Sequence, residues 1–201
     1  MASALEAEFP GLRAEWIRCE CSEHRSDTGV GERLAHLASR FSGRQAVELR
    51  QQQVPAAYRS FFLQVGIDPD QQPTPIEQAA LGRLLAGGNL PQDRISDALL
   101  LALLETAVPV IAFDASFVTE PIELRGASDG EAIGANELAP GTLIVADADK
   151  PLCQLFAAPE PPLAAGRASQ DLLLVAVVAP GVSELTSDEA LTIAAEAISG
   201  G

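Results

Sequence analysis

The chain has 201 residues, 47% of them hydrophobic, which suits one domain with a sizeable core. Its formal net charge of −15 opposes binding to a polyanion such as DNA, because nucleic-acid affinity rests largely on Lys and Arg displacing counterions. The opening residues lack a basic region followed by an apolar run, and apolar runs such as Ala98 to Leu104 are far short of the roughly 20 residues that span a bilayer, so a cytoplasmic protein with no membrane partner is expected.

The first candidate element is a strand. From Ala14 to Ser22 a period of two places Ile17, Cys19 and Cys21 on one face, opposite Trp16, Arg18 and Glu20. Cys19, Cys21 and His24 together invite a zinc reading, but their spacing departs from the common zinc sites, and two core cysteines on a strand account for them. With Cys153 the thiols number three, which fits reduced cysteines rather than a disulfide framework; neither a metal nor a cofactor is expected. Residues 1–60 hold eight Arg against eight acidic residues, whereas residues 61–201 hold five basic against twenty acidic, so any RNA contact belongs to the first third. There a helix from Gly31 to Ser42 turns Leu34, Leu37, Ala38 and Phe41 inward and leaves Arg33, His36 and Arg40 on an adjoining face, with Gly43 as its stop. That face is either a solvated stripe or an RNA contact.

Gln51 to Pro55 reads as a link to a helix-rich middle. Thr74, Pro75 and Glu77 form a capping box with Pro at the first helical position, opening a helix that ends near Gly87 and Gly88. A second helix, about Gln92 to Thr106, is apolar nearly all round through Leu99, Leu100, Leu101, Leu103 and Leu104, which marks it as buried on several sides. Beyond Pro109 the pattern changes to strands at Val108–Phe113, Pro121–Arg125, Thr142–Ala146 and Asp171–Val178, separated by Gly, Pro, Asp and Asn. Ala157 to Ala168 reads as an exposed loop, and Thr186 to Glu189 as a second capping box opening a closing helix. Helices followed by strands indicate an α+β fold. No phosphate loop, dinucleotide-binding glycine pattern, nucleophile elbow or zinc-protease helix occurs, and both histidines precede residue 40.

From about Val54 to Pro180 the chain resembles the freestanding B-three/B-four proteins, relatives of the editing module in the beta subunit of phenylalanyl-tRNA synthetase. The resemblance is carried by Tyr58-Arg59, Val65 to Pro69, Thr74 to Glu77, Asn89-Leu90-Pro91, Ile95-Ser96-Asp97, Val108 to Asp114, Ile122 to Arg125, Asp129-Gly130-Glu131 and Leu143 to Pro151, in that order. It implies one domain over residues 1–201, with an N-terminal embellishment to residue 53, a core over 54–180 and a C-terminal helix over 181–201. It also implies mixed β-sheets in a sandwich-like core flanked by helices. In the synthetases this module hydrolyses tyrosine wrongly esterified to the phenylalanine tRNA, so the implied partner is aminoacyl-tRNA and the implied reaction is attack of a positioned water on an ester. Ile111 stands where the synthetase motif has His, Leu152 to Ala158 replace a glycine-rich stretch, Leu172 to Val175 lack a Glu, and Leu100 and Leu103 stand where many relatives carry Asn and Ser.

The polar candidates are thus Asp114 and Glu131 for placing water, with Phe113, Arg125 and Asp147 for substrate and Arg33, His36 and Arg40 for RNA. Asp114 ends an apolar strand, a common place for function. Asp147 either binds a ligand or makes the turn at Ala148-Asp149-Lys150-Pro151; Glu131 either works or is a solvated hairpin residue; Arg125 either grips an anion or pairs with Glu123 or Glu131. Three functions stay open: binding and hydrolysis of mischarged aminoacyl-tRNA, binding alone of an amino acid or similar small metabolite, or, more plainly, a protein-interaction domain that uses the scaffold as a surface.

Overall fold

A computed structural model describes residues 4–21, 29–40, 48–86 and 93–200. His24, Phe41, Gly43, the Gly87-Gly88 helix end and Asn89-Leu90-Pro91 lie outside the described residues, as do the side chains of Ala38 and Arg40.

A short helix α1 (Ala4–Glu8) leads into β1 (Arg13–Glu20), followed by α2 (Val30–Arg40), α3 (Gln53–Gln64), α4 (Pro75–Ala86) and α5 (Arg94–Thr106). The strands then run β2 (Val110–Asp114), β3 (Glu123–Gly126), β4 (Ala132–Ile133), β5 (Asn136–Glu137), β6 (Leu143–Ala146), β7 (Pro151–Gln154) and β8 (Asp171–Val178), and α6 (Glu184–Ser199) closes the chain. The α+β expectation holds. The sheets are not mixed, however: β1-β8-β2, β3-β6-β7 and the β4-β5 hairpin are antiparallel at every pairing.

β8 organises the molecule. Every residue from Leu172 to Val178 is apolar and inaccessible to solvent, so both of its faces are covered, and the sequence shows a continuous apolar run instead of alternation. β1 flanks it from Arg13 opposite Val178 to Glu20 opposite Asp171, and β2 flanks its other edge from Val110 opposite Ala176 to Asp114 opposite Leu172. α6 lies on β1 and β8, α5 packs on α6 and β2, and β3 of the second sheet adjoins β1. Tyr58 of α3 donates its hydroxyl to the Val177 carbonyl at 2.6 Å. One core cluster joins all these elements, and a smaller one, Ala127, Ile133, Leu138, Ile144 and Ala146, sits beneath the β4-β5 hairpin.

Local chemistry explains most boundaries. Glu77 accepts from the Thr74 N–H at 3.0 Å and the Thr74 hydroxyl at 2.9 Å, so the expected capping of α4 is present. Its other oxygen takes Arg59 at 2.7 Å and Arg50 at 2.8 Å, which ties α4 to α3 and to the segment before it. Of the expected link at Gln51 to Pro55, Gln53 to Pro55 already form the first turn of α3. The closing helix starts a turn earlier than Thr186: its N-cap is Ser183, whose side chain accepts from the Thr186 N–H, so Thr186 lies inside the helix and the capping box at Thr186–Glu189 is corrected. Cys19 and Cys21 are half-buried against the core. Burial, with smaller contributions from Cys21 and Asp171, pushes the Cys19 thiol up to about 11, and burial pushes Cys153 up to about 12. No described helix is long and apolar enough to cross a membrane.

Candidate functional site

Among the described residues, α5 and β2 enclose a largely apolar space because of how the chain turns between them. Asp93 caps α5, accepting from the Ser96 N–H at 3.0 Å and the Ser96 hydroxyl at 2.7 Å. At the other end Ala107 adopts a left-handed conformation with φ 61°, its N–H returning to the Leu103 carbonyl, and the Thr106 hydroxyl bridges the Ala102 carbonyl and the Val108 N–H. The chain therefore reverses within three residues and lays β2 beside the helix it has just left.

A cavity of about 450 Å³ opens in this crook. Leu99, Leu100 and Leu103 form its helical wall, Pro109 to Ala112 its strand wall, and Phe156 to Pro159 with Ala164 and Ala165 a third side. Most of that third side belongs to Ala157 to Ala168, which is a largely exposed loop as expected; its middle is held to β2 by a bridge between Phe113 and Ala164 and by the Asp114 N–H donating to Leu163 at 3.0 Å. Ser96 carries the one polar side chain among the described lining residues, and its hydroxyl is already donated to Asp93. Such a wall offers chiefly van der Waals contact, its remaining polarity coming from backbone groups and Ser96, so it suits an apolar group.

The residues singled out from sequence do not gather here. Phe113 is fully buried in the core and Asp114 lies beyond the lining. The Asp114 carboxylate accepts from the hydroxyl and N–H of Ser116 and, at 2.6 Å, from the Ser169 hydroxyl; these bonds to the Ser116 and Ser169 side chains hold its pKa below the usual carboxylate range. It caps the turn Ala115–Phe117 and fastens the end of β2 to the loop before β8. Arg125 and Glu131 do meet, in a two-pronged pair with both contacts at 2.7 Å, and Glu131 also accepts from the Ser128 N–H, while Glu123 lies 3.4 Å from Arg125. The Arg125 guanidinium and then the Ser128 amide hold the Glu131 carboxyl at about 2. This pair sits on the second sheet, apart from the cavity and from Asp114.

Asp147 is a turn residue. Burial would raise its pKa, but the N–H groups of Thr119, Asp149 and Lys150, at 3.0, 2.9 and 2.7 Å, together with the Lys150 ammonium, outweigh that and keep it low. On α2, Arg33 grips Glu105 with contacts of 2.9 and 2.7 Å. Arg33 and His36 border a groove of about 870 Å³ that also carries Glu32, Glu48, Glu105 and Glu189.

The residues that do line the cavity were legible only in part. Leu100, Leu103 and Ile111 stand at the positions where the resemblance set polar groups in relatives, and the structure brings these three side chains to one space. Leu99 carried no sequence signal of a site, whereas Phe156 falls in Leu152 to Ala158, which stand where the resemblance set a glycine-rich pocket wall. A family model described as B3/4 domain matches residues 57–158, just over half of the chain. No curated protein matches it.

Proposed function

Because the chain belongs to the B3/4 domain family, we propose that it is an RNA-binding domain that recognises aminoacyl-tRNA and seats the amino-acid side chain in the cavity between α5 and β2. The observation that carries this reading is that α5, β2 and Phe156 to Ala158, most of the cavity wall, fall within the family-matched segment. Its volume of about 450 Å³ is within the range of small-molecule sites, and its apolar lining favours an aliphatic or unsubstituted aromatic side chain. Arg33, His36 and Arg40 of α2 are the proposed RNA contact. Glu105 already neutralises Arg33, so phosphate has to displace a carboxylate there.

Ester hydrolysis is the finer reading. It requires a group to orient water and donors for the developing oxyanion. Asp114 and Glu131, the candidates for that work, lie outside the lining and spend their oxygens on protein donors, so the geometry favours binding over catalysis. The dry lining and the charge of −15 favour a second reading, in which the same seat takes a free apolar amino acid or similar metabolite and no RNA.

One panel separates the three. Cognate and mischarged aminoacyl-tRNAs are presented at low and moderate salt, with binding and release of amino acid both measured, to wild-type protein, Asp114→Ala and Glu105→Gln. Binding that favours apolar amino acids, weakens with salt and strengthens in Glu105→Gln, which frees Arg33, is expected. Release of amino acid above the spontaneous rate that is lost in Asp114→Ala establishes the hydrolase. Absence of RNA binding at low salt, with thermal stabilisation by a free apolar amino acid, overturns the RNA reading in favour of the metabolite.

A further inference from the structure

Phe156 is the one residue that lines both the α5–β2 cavity and a second cavity of about 520 Å³ among the described residues. The second space lies between the end of α3, the turn at Gly141 and Thr142, and the exit of β7, and its rim carries the carboxamides of Gln64, Gln72 and Gln154. Phe156 thus stands between an apolar compartment and a more polar one.

Its conformation is unusual for a residue of its kind. The Ala157 N–H donates to the Gln154 carbonyl at 3.0 Å, which makes Phe156 the third residue of a tight turn, and its φ is 63°. That position normally takes glycine, since a side chain there crowds the backbone. A bulky aromatic persists in such a conformation only where its surroundings over-determine it. Here they do: the ring meets Tyr58 and Phe61 edge-on with centroids 5.9 and 6.2 Å away and lies tilted 30° over Phe62 at 5.3 Å. Leu155 beside it is pinned by its N–H to the Leu143 carbonyl. The ring is fixed by three aromatic neighbours and its backbone by a turn, so it acts as a wall and not as a loose plug.

We infer that Phe156 is the specificity-determining residue of the α5–β2 cavity, the wall that sets how long an apolar group the cavity accepts by keeping it out of the second cavity. As a statement about ligand choice, this rests on the reading of the α5–β2 cavity as the amino-acid seat. Removing the ring joins the two spaces into one channel that is apolar at the α5 end and amide-lined at the other.

Straight-chain alcohols test the wall without presuming the natural ligand. With methyl-labelled protein, hexanol should shift the Leu100 and Ile111 resonances in the wild type and leave Val65 and Ile67 unmoved, and affinity should level off between hexanol and decanol. In Phe156→Gly, where the backbone conformation is one glycine favours, decanol should shift both sets, and affinity should keep rising by about fourfold per added methylene. Phe156→Leu, which keeps an apolar side chain against the aromatic cluster, should extend the limit by less and carries the test if the glycine variant does not fold. Identical length dependence in wild type and variants overturns the proposal, as does a wild-type response of Val65 and Ile67 to hexanol or no response of Leu100 and Ile111 in any of the proteins. Alcohols that behave as expected, with no amino acid or aminoacyl-tRNA bound by any of the proteins, leave the wall standing and remove the seat.

Discussion

Glu131 gives both carboxylate oxygens to the Arg125 guanidinium and one of them also to the Ser128 amide, which is why its carboxyl stays ionised down to about 2 although its ordinary value is 4.5. A carboxyl depressed by folding stabilises the folded state at pH above its unfolded value, and that contribution is lost as pH falls through the folded one. The pair should therefore hold fully above about 4.5 and fail on approach to about 2. Side-chain carboxyl resonances followed through an acid titration should show Glu131 among the last to protonate, and Arg125→Ala should return it to the ordinary range; a midpoint near 4.5 in the wild type removes the pairing. Individual polar roles were the least legible part of the sequence. Asp147 could be read as a turn residue because Asp next to Ala-Asp-Lys-Pro has a local partner for each oxygen. Asp114 could be read so only in part, because Ser116 lies two residues on but the Ser169 hydroxyl that also holds it is 55 residues away. Phe156 lies in Leu152 to Ala158, the stretch the resemblance marked as changed, but its conformation gave no sign, since a positive φ in an aromatic residue has no signature in composition or spacing.

The helices show what local pattern can and cannot decide. The α4 start was readable because Thr74, Pro75 and Glu77 occupy adjacent positions with complementary jobs. What the pattern did not reveal is that Glu77 is nearly inaccessible and serves two arginines as well, joining α4 to α3 and to the segment before it. Glu77→Ala should therefore cost far more than a cap, about 3 kcal/mol, since it leaves Arg59 facing a vacated, largely buried site. Thr74→Ala should cost about 1 kcal/mol. Denaturant unfolding of the two variants distinguishes these, and equal losses would reduce Glu77 to a capping residue. The long strand β8 matched its expected bounds because its apolar run is unbroken, whereas β4 and β5, with two residues each, are too short to display any period. β7 begins at a proline and was hidden for that reason.

Across the whole molecule, the family-matched residues 57–158 do not contain β1, β8 or α6. β2, which forms one wall of the cavity, has β8 as its strand partner, so the cavity depends on a segment outside the match. A fragment of residues 57–158 should show no cooperative unfolding transition, because β2 then presents an unpaired apolar edge and α5 loses its packing on α6. A sharp thermal transition in that fragment would refute this dependence. The acidic excess, concentrated after residue 60, keeps such a surface dispersed but leaves few cations for phosphate, which is why any RNA contact belongs on α2.

The placement of β8 between β1 and β2 also sets a timetable. Arg13 has no strand to join until Val178 has been made, so on the ribosome β1 emerges early and waits through most of synthesis for its partner. β2 waits as well, with the apolar helix before it unable to pack on α6. The first sheet therefore assembles only after the segment through Val178 has been made, and until then the apolar edges of β1 and β2 stay unpaired. A premature stop shortly before residue 171 would leave every strand of the second sheet present but the first sheet unformed, with β1 and β2 lacking their common partner.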